Sequence, residues 1–307
     1  MEQREFIVEQ ETAGQRIDRF LSGEDTGLSR SALQALVAEG HVQCNGKAVA
    51  KSLKLKAGDT VLLEIPDAKP IEAVPQDIPL DIVYEDAHLL VVNKPKGMVV
   101  HPAPGNPDGT LVNALLWHCK GSLSGIGGEI RPGIVHRIDK DTSGLVLAAR
   151  NSYAAPLLAQ GVEKLYYAIV EGELPLGPGV IDAPIGRQGD SIIGRCVTPE
   201  GKPSRTEYTI LKAKNGLSLA ACVPVTGRTH QIRVHFASLG HPLAGDDLYG
   251  GHRERVGRQA LHCAKQTYTI PAYTPMPDGI LIDWEAPRQR ITVESPLPAD
   301  LQALLTD

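Results

Sequence analysis

No stretch of this sequence approaches the roughly 18 consecutive apolar residues that a membrane-spanning helix requires. The chain begins MEQREFIVEQ and so lacks the basic and then apolar start of a signal peptide. Its five cysteines are widely scattered, and no two of them form a CxxC pair. A disulfide framework and a zinc knuckle are therefore not indicated. Together these absences predict a soluble, cytoplasmic protein with reduced and mostly buried thiols.

Signals for a metal site are also weak. Four histidines lie close together in the sequence, at His230, His235, His241 and His252. No HExxH motif and no carboxylate at ligand spacing accompanies them. We therefore expect no bound metal.

Basic residues do not dominate the composition, and the formal net charge is −5. The acidic residues are concentrated in segments 64–86 and 278–307, with net charges of −6 and −4, which leaves +5 for the rest of the chain. Because electrostatic attraction is local, this distribution is compatible with a basic face that binds phosphates. The charge permits a nucleic-acid partner without requiring one.

Residues 14–65 form a module with its own pattern. RIDRFLS predicts a helix with one apolar stripe, and SALQALVAEG predicts a second helix that ends at Gly40. Asn45-Gly46 between two extended runs predicts a tight hairpin, and a last strand follows. This order of elements resembles the S4 domain, an RNA-binding module. The resemblance implies RNA contacts from its basic side chains, among them Arg16, Arg19, Arg30 and Lys47.

The segment after this module, PDAKPIEAVPQDIP, contains four prolines and no apolar periodicity. Such a composition predicts a stiff, extended linker. We therefore expect an S4-like RNA-binding domain at residues 1–66, a linker at 67–79 and a larger domain at 80–307, since 307 residues with 42% hydrophobic content suffice for two cores.

The larger domain contains several short strands and few helices. Thr110 is predicted to cap a helix, and Gly240 to end another that begins near 229. This mixture predicts an α+β fold with a mixed or antiparallel sheet. Strands are predicted at 89–92, 99–100, 164–170, 201–211 and 217–225, a short helix at 151–160, a long loop at 241–263, and a strand and short helix at the C-terminus.

The segment 131–147 concentrates charged side chains between two apolar runs. Ile134 and Val135 precede a group of turn formers at 139–143, and GLVLA follows, so the pattern predicts a turn held between two strands. Asp139 would then lie at a strand end, on a scaffold rigid enough to orient its carboxylate. For this segment alone, a charged surface hairpin is the competing interpretation.

Three segments taken together resemble the RluA family of pseudouridine synthases. They are HRIDKDTSG at 136–144, KLYYA at 164–168 and TGRTHQIRVH at 226–235. NKPKGMVVHPAPGN upstream, and GHPLAGDDLYG followed by RQALHC downstream, extend the likeness over nearly the whole chain. The resemblance is to the members that act on large-subunit ribosomal RNA, and it implies a pseudouridine synthase catalytic domain behind the S4-like module.

The resemblance also implies roles for single residues. It assigns the essential aspartate to Asp139, which acts either as a nucleophile or as a base that starts glycal formation from the ribose. It assigns the active-site tyrosine to Tyr166. Because burial favours the protonated form of a carboxylate, a cationic partner is needed, and the resemblance assigns that role to Arg228.

Other residues near the motif are expected to bind RNA or to support the turn. The target nucleotide must be flipped out of its stack, and we expect Arg137 to contact RNA beside it. His136 and Lys164 are further candidates for substrate contacts. Asp141 is expected to cap backbone N–H groups of its turn and not to act as the nucleophile.

The implied reaction is the isomerisation of uridine to pseudouridine, without a redox step, metal or cofactor. The expected partner is large-subunit ribosomal RNA, free or within pre-ribosomal particles, and the protein is expected to be a monomer with no membrane contact. Two other interpretations remain open: an S4-bearing RNA-binding factor without catalysis, and an aspartyl phosphotransferase of the haloacid-dehalogenase kind, because DKDTS loosely resembles a DxDxT strand.

Overall fold

The computed structural model divides the chain into two compact units, Met1–Lys69 and Pro70–Asp307. The division falls within the predicted linker, and the predicted domain boundaries themselves remain a prediction. The structure describes residues 2–24, 30–50, 52–65, 73–86, 88–103, 105–119, 133–150, 162–189, 191, 193–270, 272–276, 279–283 and 289–306.

The smaller unit packs two helices against an antiparallel sheet. Ile17, Phe20 and Leu21 of the first helix are buried, as the apolar stripe predicts. Its helices are α1 (Ile17–Gly23) and α2 (Arg30–Ala38), and its strands are β1 (Glu2–Ile7), β2 (Val42–Cys44), β3 (Lys47–Ala48) and β4 (Thr60–Ile65), in the sheet order β1-β4-β2-β3.

The predicted hairpin of this unit is confirmed. Asn45 and Gly46 have φ angles of 50° and 74°, the left-handed pair that a two-residue turn between β2 and β3 requires. The strand β1 was not predicted, although it pairs with β4 along its whole length.

The larger unit is built on one mixed sheet with few helices, as the pattern predicts. Its helices are α3 (Leu111–His118), α4 (Gln231–Ser238) and α5 (Ala299–Gln302), and two short 3-10 turns occupy Asp247–Tyr249 and Ala303–Leu305. The strands of the large sheet are β5 (Ile82–Glu85), β6 (Leu89–Lys94), β7 (Ser143–Ala149), β8 (Val162–Glu171), β9 (Gly177–Asp182), β12 (Arg205–Lys214), β13 (Leu217–Pro224), β14 (Leu261–Ile270) and β17 (Gln289–Glu294). Two separate hairpins are formed by β10 (Ile185–Arg187) with β11 (Arg195–Val197) and by β15 (Ala272–Met276) with β16 (Gly279–Asp283).

The large sheet runs in the order β5-β6-β7-β14-β8-β13-β12-β9, and β17 also pairs with β14. Only the pair β7 and β14 is parallel among these described strands. Every residue of β7 is buried, which explains its near-continuous apolar sequence GLVLAA. The turn before β7 is therefore attached to the middle of the core.

Helix α3 begins as predicted. The Thr110 side chain accepts a hydrogen bond from the backbone N–H of Asn113, and the Asn113 side chain accepts one from the backbone N–H of Thr110. This reciprocal capping box stabilises the first turn. Asn113 Nδ2 also donates to the carbonyl oxygen of Val74 at 2.8 Å, so the described end of the predicted linker is held against α3.

Other expectations about the larger unit were wrong. The segment 241–263 is not a loop throughout, because β14 begins at Leu261 and lies between β7 and β8. Val99 and Val100 are not in a strand. Before the turn at 139–143, Ile134 makes an isolated bridge to Ala148 and is not part of a strand. The helix predicted at 151–160 lies outside the described residues.

All five cysteines are free, and all except Cys196 are buried, as predicted. No helix in the described parts of the chain has the length and apolar character needed to span a membrane.

Candidate active site

A cleft of about 510 Å³ opens in the larger unit. Its wall consists of the turn before β7, alternate residues of β8, and the loop that leads into α4. Cavities of this size are typical of sites for small ligands. The structure brings together in this wall six of the predicted site residues: His136, Arg137, Asp139, Lys164, Tyr166 and Arg228.

The turn that carries Asp139 is anchored by Lys94, the last residue of β6. Lys94 is fully buried, and its Nζ donates to the carbonyl oxygens of Pro95 (2.8 Å), Met98 (2.8 Å) and Lys140 (3.0 Å). Burial lowers the pKa of Lys94 to about 7, against the opposing charges of nearby carboxylates. One side chain thereby ties the loop after β6 to the residue that follows Asp139.

The carboxylate of Asp139 is paired with Arg233 of α4. Nη1 of Arg233 donates to Oδ2 of Asp139 at 3.0 Å. Nε and Nη2 of the same guanidinium donate to the two carboxylate oxygens of Asp246 at 2.6 and 2.8 Å. Burial by itself lowers the pKa of Arg233, but the hydrogen bonds and charges of Asp246 and Asp139 outweigh it and raise that pKa above its usual value. Arg233 is thus a permanent cation with a fixed orientation.

The predicted pairing of Arg228 with Asp139 is wrong. Nε of Arg228 donates to the carbonyl oxygen of Pro203 at 3.2 Å, and the side chain is exposed at the rim of the cleft. The reason is positional, because Arg228 precedes α4 whereas Arg233 lies within it. Gln231 fixes this arrangement, since its Oε1 accepts from the backbone N–H of Arg228 at 3.0 Å.

A histidine and a tyrosine form a second layer around Asp139. His230 adopts a left-handed conformation with φ 56°, and its Nδ1 lies 2.7 Å from the hydroxyl of Tyr249. That hydroxyl accepts from the backbone N–H of Arg195, so its own hydrogen is available for Nδ1, which places the imidazole proton on Nε2. Nε2 lies 3.8 Å from Oδ1 of Asp139. Burial lowers the pKa of His230, against the opposing charge of Asp139.

Tyr249 also supports the arginine. Its ring centroid lies 5.0 Å from Cζ of Arg233, a distance at which a cation and an aromatic face attract each other. The 3-10 turn that carries Tyr249 follows directly after Asp246. A single loop therefore supplies both the carboxylate that clamps Arg233 and the ring that packs on it.

Tyr166 lies on β8 with its side chain in the cleft and is 8% exposed. Its cross-strand neighbour on β14 is Cys263. Burial raises the pKa of Tyr166 well above its usual value, and Cys263 and Asp139 add to that effect. The phenol is therefore protonated at neutral pH.

His136 is held by the strands behind it. Its Nε2 accepts from the backbone N–H of Leu147 at 3.2 Å and lies 2.9 Å from Nε2 of Gln266. Since Nε2 is an acceptor, the ring proton lies on Nδ1. Burial lowers the pKa of His136 well below its usual value, so the ring is neutral.

The other predicted contact residues differ in exposure. Arg137 is exposed at the cleft, whereas Lys164 is half-buried in it. In the smaller unit Arg16, Arg19 and Lys47 are exposed. The side chain of Arg30 lies outside the described residues.

Asp141 does not behave as expected. Its backbone carbonyl accepts from Nη1 of Arg258 at 3.1 Å, but its carboxylate makes no hydrogen bond with a residue that the structure describes, so the predicted capping is not observed. Asp141 is also absent from the wall of the cleft. Asp139 is therefore the carboxylate of this turn that faces the cavity.

The histidines considered as metal ligands use their ring nitrogens elsewhere. His235 is buried, with Nδ1 2.9 Å from Thr206 Oγ1 and Nε2 3.0 Å from the carbonyl oxygen of Ala183. His252 lies 2.7 Å from Glu171. Within the described ranges, no three His, Cys, Asp or Glu side chains are placed to hold a metal ion.

Sequence reasoning missed Arg233, Asp246, Tyr249 and the anchoring role of Lys94. Arg233 and Asp246 lie inside the motifs TGRTHQIRVH and GHPLAGDDLYG. The sequence therefore indicated their segments but did not single out these two residues. Helical spacing inside QIRVHF gave no criterion for which arginine faces Asp139, because α4 is buried on most sides.

The chain is similar to proteins of one family over its whole length. Residues 88–238 match the model of RNA pseudouridylate synthases, and residues 15–61 match the S4 domain. The ribosomal large subunit pseudouridine synthase D of Zymomonas mobilis is 42% identical, over 99% of this chain and 97% of that protein. The uncharacterized RNA pseudouridine synthase YlyB of Bacillus subtilis is 41% identical, over 99% of this chain and 98% of that protein.

A solved structure agrees. Human RNA pseudouridylate synthase domain containing 1 matches with a TM-score of 0.51 and 26% identity, over 80% of this chain and 98% of that one. These likenesses do not favour a phosphotransferase or a non-catalytic RNA-binding factor. The predicted S4 module, the α+β fold and the enzyme class, an isomerase that acts on RNA, are confirmed, and the chain belongs to the RNA pseudouridylate synthase family.

Proposed function

We propose that this protein converts specific uridines of large-subunit ribosomal RNA to pseudouridine and that Asp139 is the residue that acts on the ribose. Two relatives that match nearly the whole chain, from Zymomonas mobilis and Pseudomonas aeruginosa, are named ribosomal large subunit pseudouridine synthase D. The observation that carries the proposal is the ion pair of Asp139 with Arg233 at 3.0 Å, inside a cleft of about 510 Å³.

The reaction breaks the bond between N1 of uracil and C1′ of the ribose. The base then turns, C5 bonds to C1′, the C5 hydrogen leaves as a proton, and N1 gains a proton. An ionised carboxylate assists either by attacking C1′ or by removing the 2′ proton. Arg233 favours the ionised form of Asp139, and Asp246 prevents the guanidinium from turning away.

Tyr166 is proposed to contact the flipped uracil with its ring. Its phenol is protonated, which favours stacking over a role as the resting base for the C5 proton. Arg137 and Arg228, both exposed at the cleft, are proposed to contact the phosphates beside the flipped nucleotide, and His136 to contact the nucleotide itself.

The smaller unit is proposed to bind the RNA around the target through Arg16, Arg19, Arg30 and Lys47. Phosphate contacts of this kind position a substrate more than they specify its sequence. We also propose domains at 1–66 and 80–307 joined by the linker, and a cytoplasmic monomer that acts without a cofactor on free ribosomal RNA or pre-ribosomal particles.

The test is the release of tritium from ribosomal RNA labelled at C5 of uridine, with EDTA present. Wild-type protein is expected to release tritium, and Asp139→Asn to release at least about 1,000-fold less while binding the same RNA. Asp141→Asn is the matched control, because it removes a neighbouring carboxylate that does not line the cleft, and it should retain activity. Full activity of Asp139→Asn would refute the assignment, and pseudouridine mapping in a deletion strain would identify the sites.

A further inference from the structure

We infer that Lys164 is a catalytic residue whose ammonium group binds a carbonyl oxygen of the flipped uracil and stabilises the negative charge on that base when the glycosidic bond breaks. This inference rests on the proposed function. It concerns the base half of the reaction, whereas Asp139 acts on the sugar half.

The chemistry creates a need for a cation beside the base. When the N1–C1′ bond breaks, its electron pair stays with uracil, and the charge spreads over N1, O2 and O4. This holds whether Asp139 attacks C1′ or removes the 2′ proton. A second anion close to Asp139 is costly in a cleft that partly excludes water unless a positive group neutralises it.

The arginine of the site is already engaged. The guanidinium of Arg233 donates to Asp139 and to both oxygens of Asp246, so one positive charge faces two negative ones. Arg137 and Arg228 are exposed at the rim. None of these three is a free, sheltered cation for the base.

Lys164 has the required position. Val162, Lys164 and Tyr166 are alternate residues of β8, and all three line the cleft. In a strand, alternate side chains project to the same face. The ammonium of Lys164 is therefore on the same side as Tyr166, the proposed contact of the uracil ring.

Lys164 also lacks a partner of its own. Its side chain is half-buried, yet it has no hydrogen bond or ion pair with any residue of the described structure. The contrast with Lys94 is informative, because that buried lysine has three carbonyl acceptors. A half-buried ammonium without protein acceptors is available to bind a ligand.

The groups around Lys164 do not neutralise it. His136 is a neutral ring, Tyr166 is a protonated phenol, and burial raises the pKa of the Cys263 thiol to about 11. Burial also lowers the pKa of Lys164, which reflects poor solvation and strengthens attraction to an incoming anion. The missing acceptor is thus supplied by the substrate.

The experiment compares Lys164→Met with wild type on two RNA substrates, one with uridine and one with 5-fluorouridine at the target. Fluorine withdraws electrons and makes the base a better leaving group, so it lessens the need for the ammonium. On uridine, Lys164→Met should lose about 100-fold in kcat with little change in KM. On 5-fluorouridine, followed by loss of that nucleoside in a single turnover, the loss should be no more than about tenfold.

Two controls separate this role from a structural one. Lys265→Met removes a lysine on β14 that pairs with Glu294 outside the cleft, and it should leave both activities unchanged. Lys164→Arg keeps the charge and should recover part of the lost kcat. Because the ammonium has no hydrogen bond or ion pair within the described part of the chain, Lys164→Met should melt close to the wild-type temperature.

Three results would overturn the inference while wild-type activity stands. The first is a wild-type kcat in Lys164→Met. The second is a change in KM alone together with a weaker salt dependence, which would indicate a phosphate contact. The third is an equal loss of activity on the two substrates. If Lys164→Met fails to fold, Lys164→Arg is compared with wild type on the two substrates instead. Equal losses of kcat on uridine and 5-fluorouridine would then overturn the inference. Absence of wild-type tritium release would instead refute the proposed function.

Discussion

Arg233 contributes both to the charge of the cleft and to the stability of the larger unit. It is 5% exposed, and Asp246, its bidentate partner, is 1% exposed. Removing one member of a buried ion pair leaves the other charged and unpaired. The stability lost in this way exceeds the net stability that the intact pair contributes. The same residue pair therefore has consequences for both folding and catalysis.

The change Asp246→Asn should lower the free energy of unfolding by about 3 kcal/mol and reduce kcat at least tenfold, because Arg233 loses the anion that orients it. Urea denaturation and tritium release measure the two effects. Asp247→Asn is the matched control, since that exposed residue pairs with Arg253 at the surface and should change stability by less than about 1 kcal/mol. Equal behaviour of the two variants would contradict the clamp.

The hydrogen bonds of the buried Lys94 lead to a prediction about stability alone. Lys94→Met keeps the length of the side chain but leaves the carbonyl oxygens of Pro95, Met98 and Lys140 without their donor. We expect a loss of about 3 kcal/mol or more in the free energy of unfolding. Lys96→Met, which removes an exposed lysine and its surface ion pair with Asp300, should cost less than about 1 kcal/mol. A small effect of Lys94→Met in the same urea titration would show that water replaces the ammonium.

At the residue scale, the sequence identified which side chains meet but not how they pair. Asp139, Tyr166 and Lys164 were placed correctly in one cleft because motif and strand alternation both indicate it. The resemblance assigned the cationic partner to Arg228, whereas the orientation of α4, which the sequence does not reveal, places Arg233 beside Asp139. Asp246 follows no periodic pattern, so only the folded loop reveals it.

At the scale of elements, β7 and β14 meet at a glycine. Gly144 has φ +109°, and a Cβ atom there would lie 2.3 Å from the backbone oxygen of Cys263. Backbone cannot yield as a flexible side chain does, so the parallel pairing of the two strands depends on the absence of a side chain. This pairing directly follows the turn that carries Asp139.

Gly144→Ala is therefore expected to destabilise the larger unit by at least about 3 kcal/mol, through both the clash and the positive φ. Thermal unfolding is the measurement. Gly257→Ala provides the comparison, because no heavy atom lies within 4 Å of the position that its new methyl group would occupy and its φ is not positive. A similar melting temperature for the two variants would mean that β14 can shift without cost.

The elements with clear local sequence patterns were predicted, whereas the central strand β14 was not. The hairpin at Asn45-Gly46 and the capped start of α3 at Thr110 are set by neighbours in sequence. In β14, residues 261–264 are all buried, so no alternation of polar and apolar residues marks the strand. Its identity is decided by β7 and β8, which lie far away in the chain.

At the scale of the whole molecule, Asp300 attaches the C-terminal helix α5 to the rest of the larger unit. Its carboxylate accepts from Nε and Nη2 of Arg258 at 3.0 and 3.1 Å, and from Nζ of Lys96 at 2.9 Å. The hydrogen bond from Arg258 lowers the pKa of Asp300 well below its usual value. The C-terminus is thereby fixed to the loop that precedes β14.

This attachment predicts a pH dependence. A carboxyl whose pKa is lower in the folded than in the unfolded state stabilises the fold above the unfolded value, near about pH 4, and that contribution is lost as the pH falls toward the folded value. The difference in unfolding free energy between wild type and Asp300→Asn should be constant above about pH 5 and shrink below about pH 4. Asp182→Asn, at an exposed pair with Arg205, should show little such change in the same denaturant titrations.

The position of β14 also determines when the enzyme is completed during its synthesis. The hydroxyl of Ser143 lies 3.0 Å from Nδ1 of His262, a partner 119 positions later in the chain, and β17 follows later still. Contacts with such large sequence separation close slowly, because a long stretch of chain must be ordered to form them. A nascent chain that ends before β14 contains Asp139 but not the strand that packs beside β7. Ribosome-bound fragments that end before β14 should therefore be inactive, and activity is expected only once this strand can pair with β7.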